Sequence, residues 1–406
     1  FSMENQKTAK MTRLSKRAFS AATFEKNSIE DASAFLKDDL VTRNVRSILE
    51  KFGKGRDIRE IQKLLVTGLL TNDSGRKKDS VERRVRGWLD PKSTHTLKKE
   101  DAIEAAFILQ LDAEDADEFV ALISEEKFHW RDVEEIVFIY GLGHKLSYPE
   151  CREILNQPEI QEILLLVKDC KTLEEIGEEG YTEFVKRDVE KLEIVEDLKQ
   201  YLRENYQKLG HFHNMAYDMF MEMIGRLETP SRKEEELCLF EEEGNPGNYT
   251  IRDILQDFFY KDIVLTARQK AVKTKKEAKL KEVSKEEQYT LNLIQKKIAD
   301  GWPDEVSISR MKNRRVDVTR KALILLFLAT DGDYEEDGYD YDLTAEEVFE
   351  DIYERLNDML FFCGYCELDP RNPFDWVILY CIYVEDLFDI DPKIQQLLGE
   401  VFREQE

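Results

Sequence analysis

Apolar residues recur at three- and four-residue spacing along almost the whole chain, and alternation with period two is nearly absent. That spacing stacks one apolar face on successive turns of a helix. Val41, Val45, Ile48, Leu49 and Phe52 form such a face and stop at Gly53, a helix-terminating residue. Ile58 to Leu70 repeats the pattern and runs into a polar loop, Thr71 to Ser80. Short helices follow over Ser80–Leu89 and Lys98–Leu111 with a turn at Pro91 between them, then over Arg131–Leu142 and Tyr148–Leu155. From Asn156 to Glu228 the pattern is long and amphipathic, notably over Val189–Leu227. Thr229-Pro230-Ser231 and Glu243-Gly244-Asn245-Pro246-Gly247 break it. A helix-rich stretch spans Thr250–Ala299, and Trp302-Pro303-Asp304 opens the last block. The pattern predicts an all-α chain with a flexible basic N-terminus (1–27), a helical domain (28–155), a helical middle region (156–284) and a second helical domain (285–406).

Composition narrows this picture. Of 406 residues, 42% are hydrophobic, enough for packed cores. Only 18 Gly and 9 Pro are present, too few turn-formers for a many-stranded barrel or sandwich. The net charge is -25. A general nucleic-acid coat is thereby excluded, because affinity for phosphate comes from cations; any nucleic-acid contact must be a local basic patch. The longest apolar run, Ala322–Ala329, is far short of the roughly 20 residues that span a bilayer, so no membrane association is expected. Phe1–Arg17 carries five bases with no apolar block after them, unlike a secretory signal. Six cysteines without framework spacing fit a reducing compartment, and a cytoplasmic location is expected.

The two helical domains share an order of segments. Phe128-His129-Trp130-Arg131-Asp132-Val133-Glu134-Glu135 and the apolar run to Tyr140 parallel Leu368-Asp369-Pro370-Arg371-Asn372-Pro373-Phe374-Asp375 and the run to Tyr380. Upstream, Leu97–Leu111 parallels Val318–Thr330, and each is preceded by a short basic helix, Val81–Leu89 or Val306–Lys312. An internal repeat is expected.

The stretch Val306-Ser307-Ile308-Ser309-Arg310-Met311-Lys312-Asn313-Arg314-Arg315, followed by Val318-Thr319 and the apolar run to Ala329, resembles the second half of a Cro/XRE-type phage-repressor helix-turn-helix domain. In that family a short recognition helix is followed by a polar turn and a helix that starts with Ser or Thr. The resemblance implies DNA contact by Ser309, Arg310, Lys312, Asn313, Arg314 and Arg315, and the i, i+3 spacing of Ile308 and Met311 makes them the buried anchors. Thr319 has the chemistry to cap the next helix. The earlier block is a poorer copy: Arg83, Arg84 and Arg86 take the contact positions and Val85 and Trp88 the anchors, but Asp90-Pro91 replaces the polar turn.

Four other features carry less. The basic stretch Arg268–Lys281 has seven bases against one acid, which suits phosphate tracking or a solvated helix face. Cys363-Gly364-Tyr365-Cys366 with Cys381 lacks the fourth ligand of a structural zinc, and core thiols are expected. The acidic insertion 331–347 mimics a calcium loop but has Thr344 where the bidentate Glu belongs. His211 and His213 are two apart, not the four of a helical zinc site. No metal, cofactor or catalytic site is therefore expected. The sequence points to a non-enzymatic, DNA-binding regulatory protein with double-stranded DNA as its partner. The alternative is a helical scaffold for a protein partner, in which the helix-turn-helix cores serve packing alone.

Overall fold

The computed structural model describes residues 13–23, 28–40, 42–91, 97–169, 182–210, 212–228, 250–279, 291–330, 344–385 and 389–403. Among them there is no strand, only an isolated antiparallel bridge between Glu126 and Tyr365, and the chain is all-α as expected. The helices are α1 (Arg13–Ala22), α2 (Ile29–Ala34, continued by a π turn to Asp39), α3 (Val45–Phe52), α4 (Ile58–Asn72), α5 (Lys78–Leu89), α6 (Lys99–Ile108) and α7 (Ala113–Ser124). Then come α8 (Val133–Gly143), α9 (Tyr148–Leu155), α10 (Pro158–Asp169), α11 (Thr182–Val189), α12 (Val195–Glu204), α13 (Asn214–Glu228) and α14 (Ile251–Asp257). The last are α15 (Lys261–Lys279), α16 (Leu293–Ala299), α17 (Glu305–Lys312), α18 (Arg320–Thr330), α19 (Ala345–Phe362), α20 (Pro373–Cys381) and α21 (Ile390–Val401).

These helices form two compact units. Unit I comprises Phe1–Thr42, Asn214–Cys363 and Glu367–Glu406; unit II comprises Arg43–His213 and the short return Gly364–Cys366. This grouping divides the chain otherwise than boundaries at 155 and 285 would. The segment from α10 to α12 belongs with the first helical block, whereas α1 and α2 belong with the last.

In unit II, Ile61, Leu65 and Leu69 project at helical spacing from α4 and are fully buried together with Val85, Leu109, Phe119 and Ile136. Helices α4 and α6 approach closely at Gly68, where a Cβ would lie 2.6 Å from the Ile108 side chain; any larger residue there would force that side chain to move. In unit I, α20 is buried along its whole length, as expected of a helix that is apolar all round. It packs against α1, α16 and α21.

One expectation needs correction. The segment 1–27 was expected to be flexible, yet Arg13–Ala22 is helical with Ala18 and Ala22 buried. Trp376 donates its indole N–H to the Ala18 carbonyl at 2.9 Å, and Phe19 packs edge-on against Phe349 and Tyr353. The partners that order it lie at the other end of the sequence. The long amphipathic pattern over Val189–Leu227 is carried by the end of α11, by α12 and by α13. It is interrupted between α11 and α12, where Asp197 accepts from the Ile194 N–H. It is interrupted again after α12, where the Asn205 amide donates to the Tyr201 carbonyl.

The two blocks that match in sequence also match bond for bond at the start of α8 and α20. The Phe128 N–H donates to Asp117 at 2.8 Å, and the Leu368 N–H to Asn357 at 2.9 Å. The His129 N–H donates to Glu135, and the Asp369 N–H to Asp375. The Arg131 N–H donates to the His129 ring, and the Arg371 N–H to the Asp369 carboxylate. Finally, Glu135 pairs with Lys99 at 2.8 Å and Asp375 with Arg320 at 2.7 Å. Lys99 and Arg320 hold equivalent places at the starts of α6 and α18.

Candidate nucleic-acid interface

Helix α17 is short and firmly specified. Asp304 and Ser307 form a reciprocal capping box at its start, with Asp304 accepting from the Ser307 N–H at 2.8 Å and the Ser307 hydroxyl accepting from the Asp304 N–H at 2.7 Å. Such caps satisfy backbone donors that have no partner in the first turn. Ile308 and Met311 are buried, as their i, i+3 spacing requires. The Asn313 amide donates to the Ser309 carbonyl at 2.7 Å, and Arg314 adopts a left-handed conformation (φ 50°) that ends the helix. Thr319 caps α18 by accepting from the Ala322 N–H at 3.3 Å.

The six residues singled out on and after α17 separate into two groups. Ser309, Arg310, Asn313 and Arg315 are exposed. Lys312 and Arg314 are held by α13. Lys312 pairs with Glu228 at 2.6 Å, while the Arg314 guanidinium donates to the Asn214 side chain and lies 4.2 Å over the Tyr217 ring. The Tyr217 hydroxyl donates to the Lys312 carbonyl at 3.1 Å. A cation whose charge is met by its own chain has less to offer a phosphate.

On α5, Arg83 and Arg86 are exposed, and the Arg86 Nε donates to the Glu82 carbonyl. Arg84 is turned inward, pairing with Asp101 at 3.2 Å and lying 5.2 Å over the Trp88 ring. Val85 and Trp88 are buried as anchors.

The sequence predicts helix before each of these two but does not mark those helices as the opening pair of a helix-turn-helix domain. In unit I, α16 is followed by a turn with Gly301 at φ +66°, a left-handed conformation that glycine adopts without strain. Lys321, itself buried, donates to the carbonyls of Lys297, Ile298 and Asp300. It thus satisfies the C-terminus of α16. In unit II the corresponding role falls to Arg76, which donates to the Leu69 carbonyl at the end of α4 and pairs with buried Glu104 of α6 at 2.7 Å. Hydrogen bonding to Glu104 raises the affinity of Arg76 for its proton. In both units, then, a cation ties off the helix before the basic one. The packing differs: α5 lies on α4 and α3, whereas α17 lies chiefly on α14 and α13. The basic helix thus packs chiefly on the helix just before it in unit II, but on helices farther back in the chain in unit I.

Residues 268–279 of the basic stretch lie within α15, with Arg268 and Lys276 exposed, and its end, 280–281, lies outside the described residues. Cys363 and Cys381 are buried and their thiols are pushed up to about 12 by desolvation, so neither is a thiolate near neutrality. The Cys366 thiol donates to the Ala121 carbonyl in unit II. Of the acidic insertion, 331–343 lies outside the described residues; Thr344 and Glu347 form the capping box of α19. His211 also lies outside them, while the His213 ring sits 4.1 Å from that of His129. Among the described residues no group of three or more His, Cys, Asp and Glu side chains is placed to hold a metal ion, and no helix is long and apolar enough to cross a membrane. Compared with family models, curated proteins and solved structures, the chain matches none.

Proposed function

We propose that this chain is a non-enzymatic DNA-binding regulatory protein of the reducing cytoplasm that presents α17 to the major groove of duplex DNA. The observation that carries this reading is the exposed face of α17. Ser309, Arg310 and Asn313 point outward at i, i+1 and i+4 while Ile308 and Met311 hold the helix from behind. A short helix fixed in this manner fits the groove, and an arginine on its outer face matches the O6 and N7 acceptors of guanine. Arg315 then approaches backbone phosphate. In unit II, Arg83 and Arg86 are the corresponding outward cations, and Arg84 is a packing residue.

The competing reading is a scaffold for a protein partner, favoured by the way α13 holds Lys312 and Arg314. One experiment separates the two. The full chain is used to select from a random duplex pool, and each variant is then measured on the enriched site. Arg310→Ala should weaken that site by about 1–3 kcal/mol and relax its sequence. Arg315→Ala should weaken all duplexes alike and reduce the salt slope by about one unit. Lys312→Ala and Arg314→Ala should act mainly on stability. If no sequence is enriched, the scaffold reading replaces this one.

A further inference from the structure

An apolar residue stands on the outer face of α17. Val306 is 67% exposed, one of the most exposed large apolar side chains of the described residues. It shares a face with Ser309, Arg310 and Asn313, all exposed, so that the positions run i, i+3, i+4 and i+7. Behind them Ile308 and Met311 fill the apolar side of the same helix. Val306 therefore adds nothing to the core. A single isopropyl group among Glu305, Ser309 and Arg310 is also too small a patch for the apolar centre of a protein interface.

We infer that Val306 is a specificity-determining residue that reads the C5-methyl group of a thymine, a proposal that rests on the DNA-binding reading of α17. The thymine methyl is the one apolar group that a base edge shows in the major groove, and a small aliphatic side chain covers it. Val306 and Arg310 are four residues apart, or about 6 Å along the helix axis, against a rise of about 3.4 Å per base pair. The geometry therefore asks for a thymine within about two base pairs of the guanine that Arg310 takes. Charge agrees with this division. Asp304 and Glu305 at the helix start are both exposed and repel phosphate, which leaves base edges as the partner of this end, while Arg315 at the other end suits the backbone.

The test replaces each thymine of the selected site in turn by deoxyuridine, which lacks only the methyl group. For the parent chain, one thymine near the guanine contact should prove sensitive, with binding weakened about fourfold, the value of one buried methyl-sized group. Val306→Ala should bind the thymine site about fourfold more weakly than the parent and no longer distinguish thymine from deoxyuridine. Because Val306 is exposed, far-UV circular dichroism and the melting temperature of the variant should equal those of the parent. If the parent binds every deoxyuridine duplex as tightly as the original, or if the enriched site has no thymine near its guanine, the inference is wrong while the DNA reading stands. If Val306→Ala changes neither affinity nor discrimination, the side chain serves another partner, such as a protein, and the inference again fails. If no duplex is enriched at all, the DNA reading fails and takes the inference with it.

Discussion

A histidine ring buried at the start of α8 ties local chemistry to the stability of unit II. His129 is only 7% exposed, and its Nδ1 accepts from the Arg131 N–H at 3.2 Å, which requires the neutral ring. Burial, with help from His213, Lys99 and Arg131 nearby, holds its pKa well below 6.5. The unfolded chain takes up a proton near pH 6.5 that the folded chain refuses. The stability from neutral His129 is therefore complete above about pH 6.5 and is lost progressively as the pH falls below it. Urea titrations of the parent between pH 8 and pH 5 should show the midpoint of unit II falling over that lower range. The equivalent residue, Asp369, makes the same bond to the Arg371 N–H through a carboxylate oxygen at 2.8 Å, which suggests the control. His129→Asn keeps an acceptor oxygen and removes the titration, and its midpoint should fall less with pH. An equal slope in parent and variant would assign the pH dependence to other groups.

Among the elements, the paired segments at the starts of α8 and α20 use one plan at two depths. Arg320 and Asp375 have side chains only 4% and 2% exposed and are joined by two bonds of 2.7 and 2.9 Å. Lys99 and Glu135 are 16% and 17% exposed. Removing one partner of a buried pair leaves an uncompensated charge, so Asp375→Ala should destabilise unit I by about 3–5 kcal/mol. Glu135→Ala, where water reaches Lys99, should cost unit II clearly less. Chemical denaturation of both variants measures the difference, and equal losses would contradict this account. The sequence made much of this scale legible. Helical spacing located most segments, and the bonds shared at the starts of α8 and α20 fall within the parallel stretches 128–140 and 368–380. The i, i+3 anchors Val85, Trp88, Ile308 and Met311 were read from spacing, and all four are buried. What stayed hidden depends on partners distant in sequence. Lys312 and Arg314 looked free because Glu228, Asn214 and Tyr217 lie some hundred residues earlier. The turn before α17 was obscure because the cation that closes it, Lys321, belongs to the helix after it.

For the molecule as a whole, charge sets the terms of any nucleic-acid contact. With a net charge of -25, the chain repels a polyanion at long range, and the repulsion is screened by salt. Among the candidate contact residues, the exposed cations are Arg310 and Arg315 in unit I and Arg83 and Arg86 in unit II. Binding to duplexes of unrelated sequence should therefore be faint at physiological salt. Fluorescence anisotropy with a labelled random duplex, from 20 to 200 mM salt, checks this; strong binding at the upper end would mean that a basic surface other than these helices is at work.

The course of the chain through unit I has a consequence for the order in which the protein is made. Helices α1 and α2 leave the ribosome well before α20 and α21, yet these are the helices they pack on. The bond from Trp376 to Ala18 spans 358 positions. All of 43–213 is synthesised in between and can collapse on its own core. Even so, it lacks Tyr365, whose bridge to Glu126 comes from the return at 364–366. At about 5–20 residues per second, the first helices wait on the order of tens of seconds with their apolar faces uncovered. Folding of this stretch during synthesis thus runs from the inside outward, and α1 and α2 are natural clients for a chaperone that shields apolar helices until α20 and α21 emerge.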